Sequence, residues 1–269
     1  MSSYERIGFL QILNIVSFAA VVIMNGLADF LPINGQTTGE ISDQYPNLFT
    51  PAAVTFSIWA VIYALLLLFC IYQGSTLFEI EKRKIDKKER AVDRIGFLFA
   101  LSCLLNIAWI FAWHHHQLLL SVLIMLALLA TLARIFIKIH TAGFYNGKAR
   151  WFVYAPFSVY LAWISIATIA NITAWLVSLG WNGFNLSASL WACIMTGAGA
   201  ALGIFMLLKR NNIYFALVIV WALAGIVIKQ YALSAGINAI ASTALTGIAL
   251  LVIIMVWKSR AKPAHQPVI

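Results

Sequence analysis

Apolar runs long enough to cross a bilayer follow one another along almost the whole chain, and no other feature limits the fold as much. A helix needs about 20 apolar residues to cross a hydrocarbon core of about 30 Å. Runs of this kind lie near 7–28, 51–73, 95–113, 117–138, 151–178, 187–208, 212–229 and 234–257. In lipid, each backbone N–H and C=O must be satisfied by other backbone, and a continuous apolar run achieves this as a helix. The chain therefore reads as an all-α membrane protein with about eight transmembrane helices. Composition agrees, because 62% of residues are hydrophobic and only 10% charged, against about 25% charged in soluble domains. The shallowest breaks are at Lys209-Arg210-Asn211-Asn212 and at Lys229-Gln230 with Gly236.

A net charge of +9 would suit a nucleic-acid binder, but its distribution points elsewhere. The basic residues lie before the first run (Arg6), in 74–94 (Lys82 to Arg94), around Arg134 to Arg150, at Lys209-Arg210 and after the last run (Lys258, Arg260, Lys262). With eight spans, 17 of the 18 fall on one side and only Lys229 on the other. Cytoplasmic loops carry the excess of Lys and Arg. Both termini are thus expected in the cytoplasm, in the cell membrane, with the lipid bilayer and not nucleic acid as the partner. The segment 29–50 falls on the opposite side. It has no Lys or Arg and is rich in turn formers: Pro32, Asn34-Gly35, Gly39 and Pro46. At this length a connection is often a lid or binding loop.

Titratable groups in mid-span mark proton relays and ion pathways. The middles of these runs contain none, which argues against ion-coupled transport and against an enzyme, since acid–base work needs a titratable group in reach. Cys70, Cys103 and Cys193 are far apart in apolar runs and read as small hydrophobes. His114-His115-His116 point in different directions on a helix end and make a poor chelate, so no metal site is expected. Six of the ten Trp, among them Trp113 and Trp257, lie near span ends as an interfacial belt does. Trp59, Trp109, Trp163 and Trp221 lie deeper. The first three stand at related depths, either as packing residues or as the lining of one pocket for a flat apolar ligand. Asn106 and Asn171 must point into the bundle, where they bridge helices or meet a ligand. Gly199 and Gly203 match a close-packing spacing for helices.

Three motifs carry a resemblance. Pro46-Asn47-Leu48-Phe49-Thr50-Pro51 followed by Ser57-Ile58-Trp59-Ala60-Val61-Ile62-Tyr63, then Asn106-Ile107-Ala108-Trp109, then Tyr160-Leu161-Ala162-Trp163 with Ala167-Thr168 and Asn171, stand in order on the second, third and fifth runs. This pattern resembles the tryptophan-rich sensory protein/translocator protein (TspO/MBR) family over roughly residues 8–180. The resemblance implies a five-helix bundle that binds porphyrins and other flat apolar ligands, with the pocket under the loop between the first two helices. It places Trp59, Tyr63, Asn106, Trp109, Trp163, Ala167 and Asn171 at ligand positions. Two features depart from it. The loop has Gly39-Glu40 and Leu48-Phe49-Thr50-Pro51 where the family carries Trp, which counts against porphyrin, and three further spans follow residue 181. The expected organisation is a five-helix bundle over 1–180 and a three-helix extension over 181–269, long for the family. That extension is expected to occupy a face free in five-helix relatives and so to favour a monomer over a homodimer, with the pocket complete without it.

These readings converge on a receptor or sensor. It would bind a hydrophobic small molecule, tetrapyrrole or lipid-like, in an aromatic pocket between helices. It would have no covalent chemistry and no required cofactor, with porphyrin or haem as a possible ligand. A transporter or facilitator for a small hydrophobic solute is the alternative.

Overall fold

The computed structural model describes residues 3–31, 33–75, 77, 87–234 and 236–260. Lys82, Arg83, Lys84 and Lys262, part of the charge pattern above, lie outside them. Ten α-helices follow in order: α1 Ser3–Phe30, α2 Thr38–Asp43, α3 Ile58–Gly74, α4 Lys87–Ile95, α5 Leu98–His114, α6 Leu118–Thr141, α7 Ala155–Ser178, α8 Ala188–Arg210, α9 Ile213–Ser234 and α10 Ala239–Arg260. There is no strand among the described residues. Among the described residues, seven helical stretches are long and apolar enough to cross a membrane. The eighth expected span is α5, apolar but only 17 residues long, about 25 Å at 1.5 Å per residue. The remaining two are not spans, since α2 is a six-residue helix in the first connection and α4 is short and highly charged.

The chain forms two compact units: Met1–Asn47 with Phe56–Asn185, and Leu48–Thr55 with Leu186–Ile269. The second thus takes eight residues from the connection ahead of α3 as well as the three C-terminal helices.

In the first unit the spans close a ring. α1 packs on α3, α3 on α7, α7 on α6, α6 on α5, and α5 back on α1. α4 lies against α1, α3 and α6. Its Val92 is buried with Ile7 and Leu10 of α1. Phe69, Phe99 and Phe157, from α3, α5 and α7, meet edge to face at centroid distances of 5.0–5.7 Å. A buried amide group ties α1 to α3: Gln11 donates to the Gln73 carbonyl, and Asn14 to Gln73 Oε1 at 2.9 Å. Before α7 the chain makes one π-turn, Arg150–Tyr154, and Pro156 takes a first-turn position where its missing N–H costs nothing.

In the second unit α8, α9 and α10 pack on one another. Small residues make this possible. A Cβ on Gly203 would stand 3.1 Å from Ile219, and one on Gly247 would stand 2.8 Å from Ala200. The helix ends are capped by side chains. Ser187 Oγ, Asn212 Oδ1 and Asn238 Oδ1 accept the N–H groups of Leu190, Phe215 and Ala241. Asn211 ends α8 in the left-handed region, and Lys258 Nζ donates to the free carbonyls of Leu207 and Leu208, a favourable place for a cation.

Candidate functional site

Helices α3 and α7 build an aromatic cluster inside the first unit. Trp59 and Tyr63, one turn apart on α3, stack at 5.5 Å with 18° between their planes. Trp59 presents its ring to the edges of Tyr160 at 6.0 Å and Trp163 at 6.3 Å on α7. Phe56 meets Trp163 edge-on at 5.8 Å. These are the geometries that aromatic quadrupoles favour. Trp163 is 2% exposed, whereas Trp59 and Tyr63 are half-buried. Trp163 Nε1 is buried and has no acceptor among the described residues.

The amides on α5 and α7 have their hydrogen bonds filled by neighbouring helices. Asn106 donates to Tyr160 OH at 3.0 Å and accepts from Asn25 of α1 at 2.9 Å. Asn171 accepts from Trp109 Nε1 at 2.8 Å and donates to Ser121 Oγ of α6 at 2.8 Å. Of the two roles open to these residues, bridging is what the structure displays. α1, α5 and α7 are tied through Asn106, and α5, α6 and α7 through Asn171. Trp109 also stacks on Trp113 at 5.7 Å. Ala167, one turn beyond Trp163, is half-buried.

The structure thus groups Trp59, Tyr63 and Trp163 directly and brings Asn106 to them through Tyr160. Trp109 and Asn171 form a second group. Sequence reasoning passed over Phe56, Asn25 and Ser121, and it had Tyr160 in a motif without a ligand position. Tyr160 stands three residues before Trp163, on the same helical face, and Asn25 carries the same signal as Asn106, an amide within a span. Trp113, read as interfacial, is 4% exposed and donates to the Thr38 carbonyl at 3.2 Å.

That last bond belongs to a latch. His114, wholly buried, uses both ring nitrogens, Nδ1 toward the Ile33 carbonyl at 3.0 Å and Nε2 toward Thr38 Oγ1 at 3.1 Å. Asn34 donates to the His114 carbonyl at 3.0 Å. His116 pairs with Tyr45 OH at 3.0 Å and Gln36 Oε1 at 3.1 Å. The histidine run therefore fastens residues 33–45 to the end of α5. The turn that makes this fit places Asn34 and Gly35 both at positive φ, which an Asn-Gly pair accepts at low cost.

The TSPO-like protein family model matches residues 11–257. The chain belongs to the TSPO-like family. It is a membrane protein of that family, and the match runs through α8, α9 and most of α10. The resemblance read from motifs stopped near residue 180, because the last three helices carry none of the three patterns. Comparison with curated proteins and with solved structures gives no match.

Proposed function

We propose that this TSPO-like protein is a membrane receptor for a flat hydrophobic molecule that carries a hydrogen-bond acceptor. The ligand would lie against Trp59, Tyr63 and Trp163, with both protein termini in the cytoplasm. The observation that carries this reading is Trp163 Nε1, a buried donor without an acceptor among the described residues, on a ring that Phe56 and Trp59 meet edge to face. Buried polar groups are almost always paired, and leaving one unpaired costs about 1–3 kcal/mol. A carbonyl or carboxylate on a bound ring system would accept this N–H while the rings cover its faces. Asn106, Trp109 and Asn171 set the spacing of the helices around it, and Ala167 leaves room beside Trp163. No step of this function makes or breaks a covalent bond.

Binding of protoporphyrin IX and of a flat aromatic ketone to the full chain in detergent, followed by quenching of Trp fluorescence, tests the reading. Trp163→Phe keeps a ring and deletes the donor, and affinity should fall by about 0.5–1.5 kcal/mol. Trp59→Ala removes a stacking face and should cost about 1–3 kcal/mol. Trp257→Ala, at a residue 61% exposed, should leave affinity unaltered. Equal losses in all three variants, or no binding of either probe by the wild-type chain, would overturn it.

A further inference from the structure

The second unit takes Leu48–Thr55 out of the connection between the first two spans and holds it on α9. Three hydrogen bonds do so, in antiparallel order. The Leu48 carbonyl accepts from Gln230 Nε2 at 2.7 Å, Ala52 N–H donates to the Gly225 carbonyl at 3.0 Å, and the Thr55 carbonyl accepts from Trp221 Nε1 at 2.9 Å. The end of the segment enters the 3₁₀ helix Ala53–Ser57.

The fit is close as well as hydrogen-bonded. Thr55 is 1% exposed and lies directly over Gly225. A methyl group on Gly225 would overlap Thr55 Oγ1 and stand 2.9 Å from its Cβ and Cγ2. Gly225 lies inside a transmembrane helix with ordinary helical dihedrals, so conformational freedom does not explain a glycine there. Its missing side chain makes the seat for Thr55. Gln230, 1% exposed, is oriented in turn. Its Oε1 accepts from Asn238 Nδ2 at 2.9 Å, and Asn238 caps the start of α10.

We infer that the C-terminal helices act as a clamp on the chain just before α3, with Trp221, Gly225 and Gln230 as its positioning residues. Thr55 is four residues from Trp59 along the chain, in the 3₁₀ helix Ala53–Ser57 that leads into α3, so the clamp constrains the backbone that enters α3. That functional half rests on the aromatic site proposed above, whereas the clamp itself does not.

Hydrogen exchange of the full chain in nanodiscs, read by mass spectrometry, separates the two halves. Gly225→Ala, Gln230→Ala and Trp221→Phe should each speed exchange in residues 48–57 about tenfold, with residues 98–114 unchanged. In a Thr55→Gly background, Gly225→Ala should have no further effect, because the overlapped atoms are gone. Unchanged exchange in 48–57 in all three single variants, or equal acceleration in 98–114, overturns the clamp. Protoporphyrin IX or ketone affinity, measured in parallel, should fall in the same three variants and stay put in Trp257→Ala. Full affinity despite faster exchange overturns the functional half alone. A wild-type chain that binds neither probe sinks the pocket reading and leaves the exchange result to decide the clamp.

Discussion

At the scale of single residues, the polar atoms divide sharply into those with partners and those without. Asn106, Trp109 and Asn171 are fully engaged, so they hold helices. The buried Trp163 donor has no acceptor among the described residues. Glu40 is a different case, exposed on the first connection. It accepts the Thr37 N–H at 2.7 Å and its hydroxyl at 2.9 Å in a capping box. Those bonds hold its carboxyl below the ordinary value of 4.5. A folded pKa below the unfolded one means that the stabilisation is present above the unfolded value and lost as pH falls through the folded one. Thr37 amide protection, corrected for intrinsic exchange, should therefore decline on acidification below 4.5. In Glu40→Gln it should be weaker at neutral pH and flat across the same range. Identical profiles would show that the carboxylate does not cap α2. Much at this scale was readable in the sequence. Trp59 and Trp163 stood out because depth follows from position in an apolar run. Tyr160 entered only as part of a motif, because the partner of its hydroxyl, Asn106, lies 54 positions away. The burial of Trp113 depends on a partner 75 positions away, and nothing local announces that.

At the scale of elements, the first connection is held at two places. Residues 33–45 are latched to the end of α5, and Leu48–Thr55 belongs to α9. The sequence marked 29–50 as a loop with turn chemistry, and its Asn34-Gly35 turn and short α2 agree. The docking was illegible, because it is written in His114, His116 and Gly225, whose partners are far along the chain. A histidine run next to an apolar helix reads as a polar cap, and only the folded chain shows its rings engaged. His114→Ala would strip partners from the Ile33 carbonyl and Thr38 hydroxyl at once, at a cost of about 1–3 kcal/mol. Proteolytic nicking within 33–45 should then rise by about tenfold, by gel or mass spectrometry, with α5 left intact. His115→Ala, whose ring meets only its own helix, should change nothing. Equal nicking in the two variants would show that the latch does not hold the segment.

At the scale of the whole molecule, the eight apolar runs and the distribution of Lys and Arg define the expected topology. Single cysteines at Gln36 and at Gly147, in a cysteine-free background, test it on intact cells. Only Gln36 should react with an impermeant thiol reagent, and reaction at Gly147 alone would reverse the orientation. The family extends over the C-terminal helices too, which motif spacing did not reveal, since small-residue packing in α8 and α10 looks like ordinary composition. The ring order of the first unit also bears on how the protein is made. Two of the five ring contacts join spans that do not follow one another in the chain: α3 meets α7, and α5 meets α1. Until α7 is made, α3 lacks the neighbour that carries Tyr160 and Trp163. Only α7 closes the gap between α3 and α6. It is also the span with 83% of its most apolar window enclosed, and so the one least suited to lipid. Its arrival is the step that joins α3 to α6 and closes the ring.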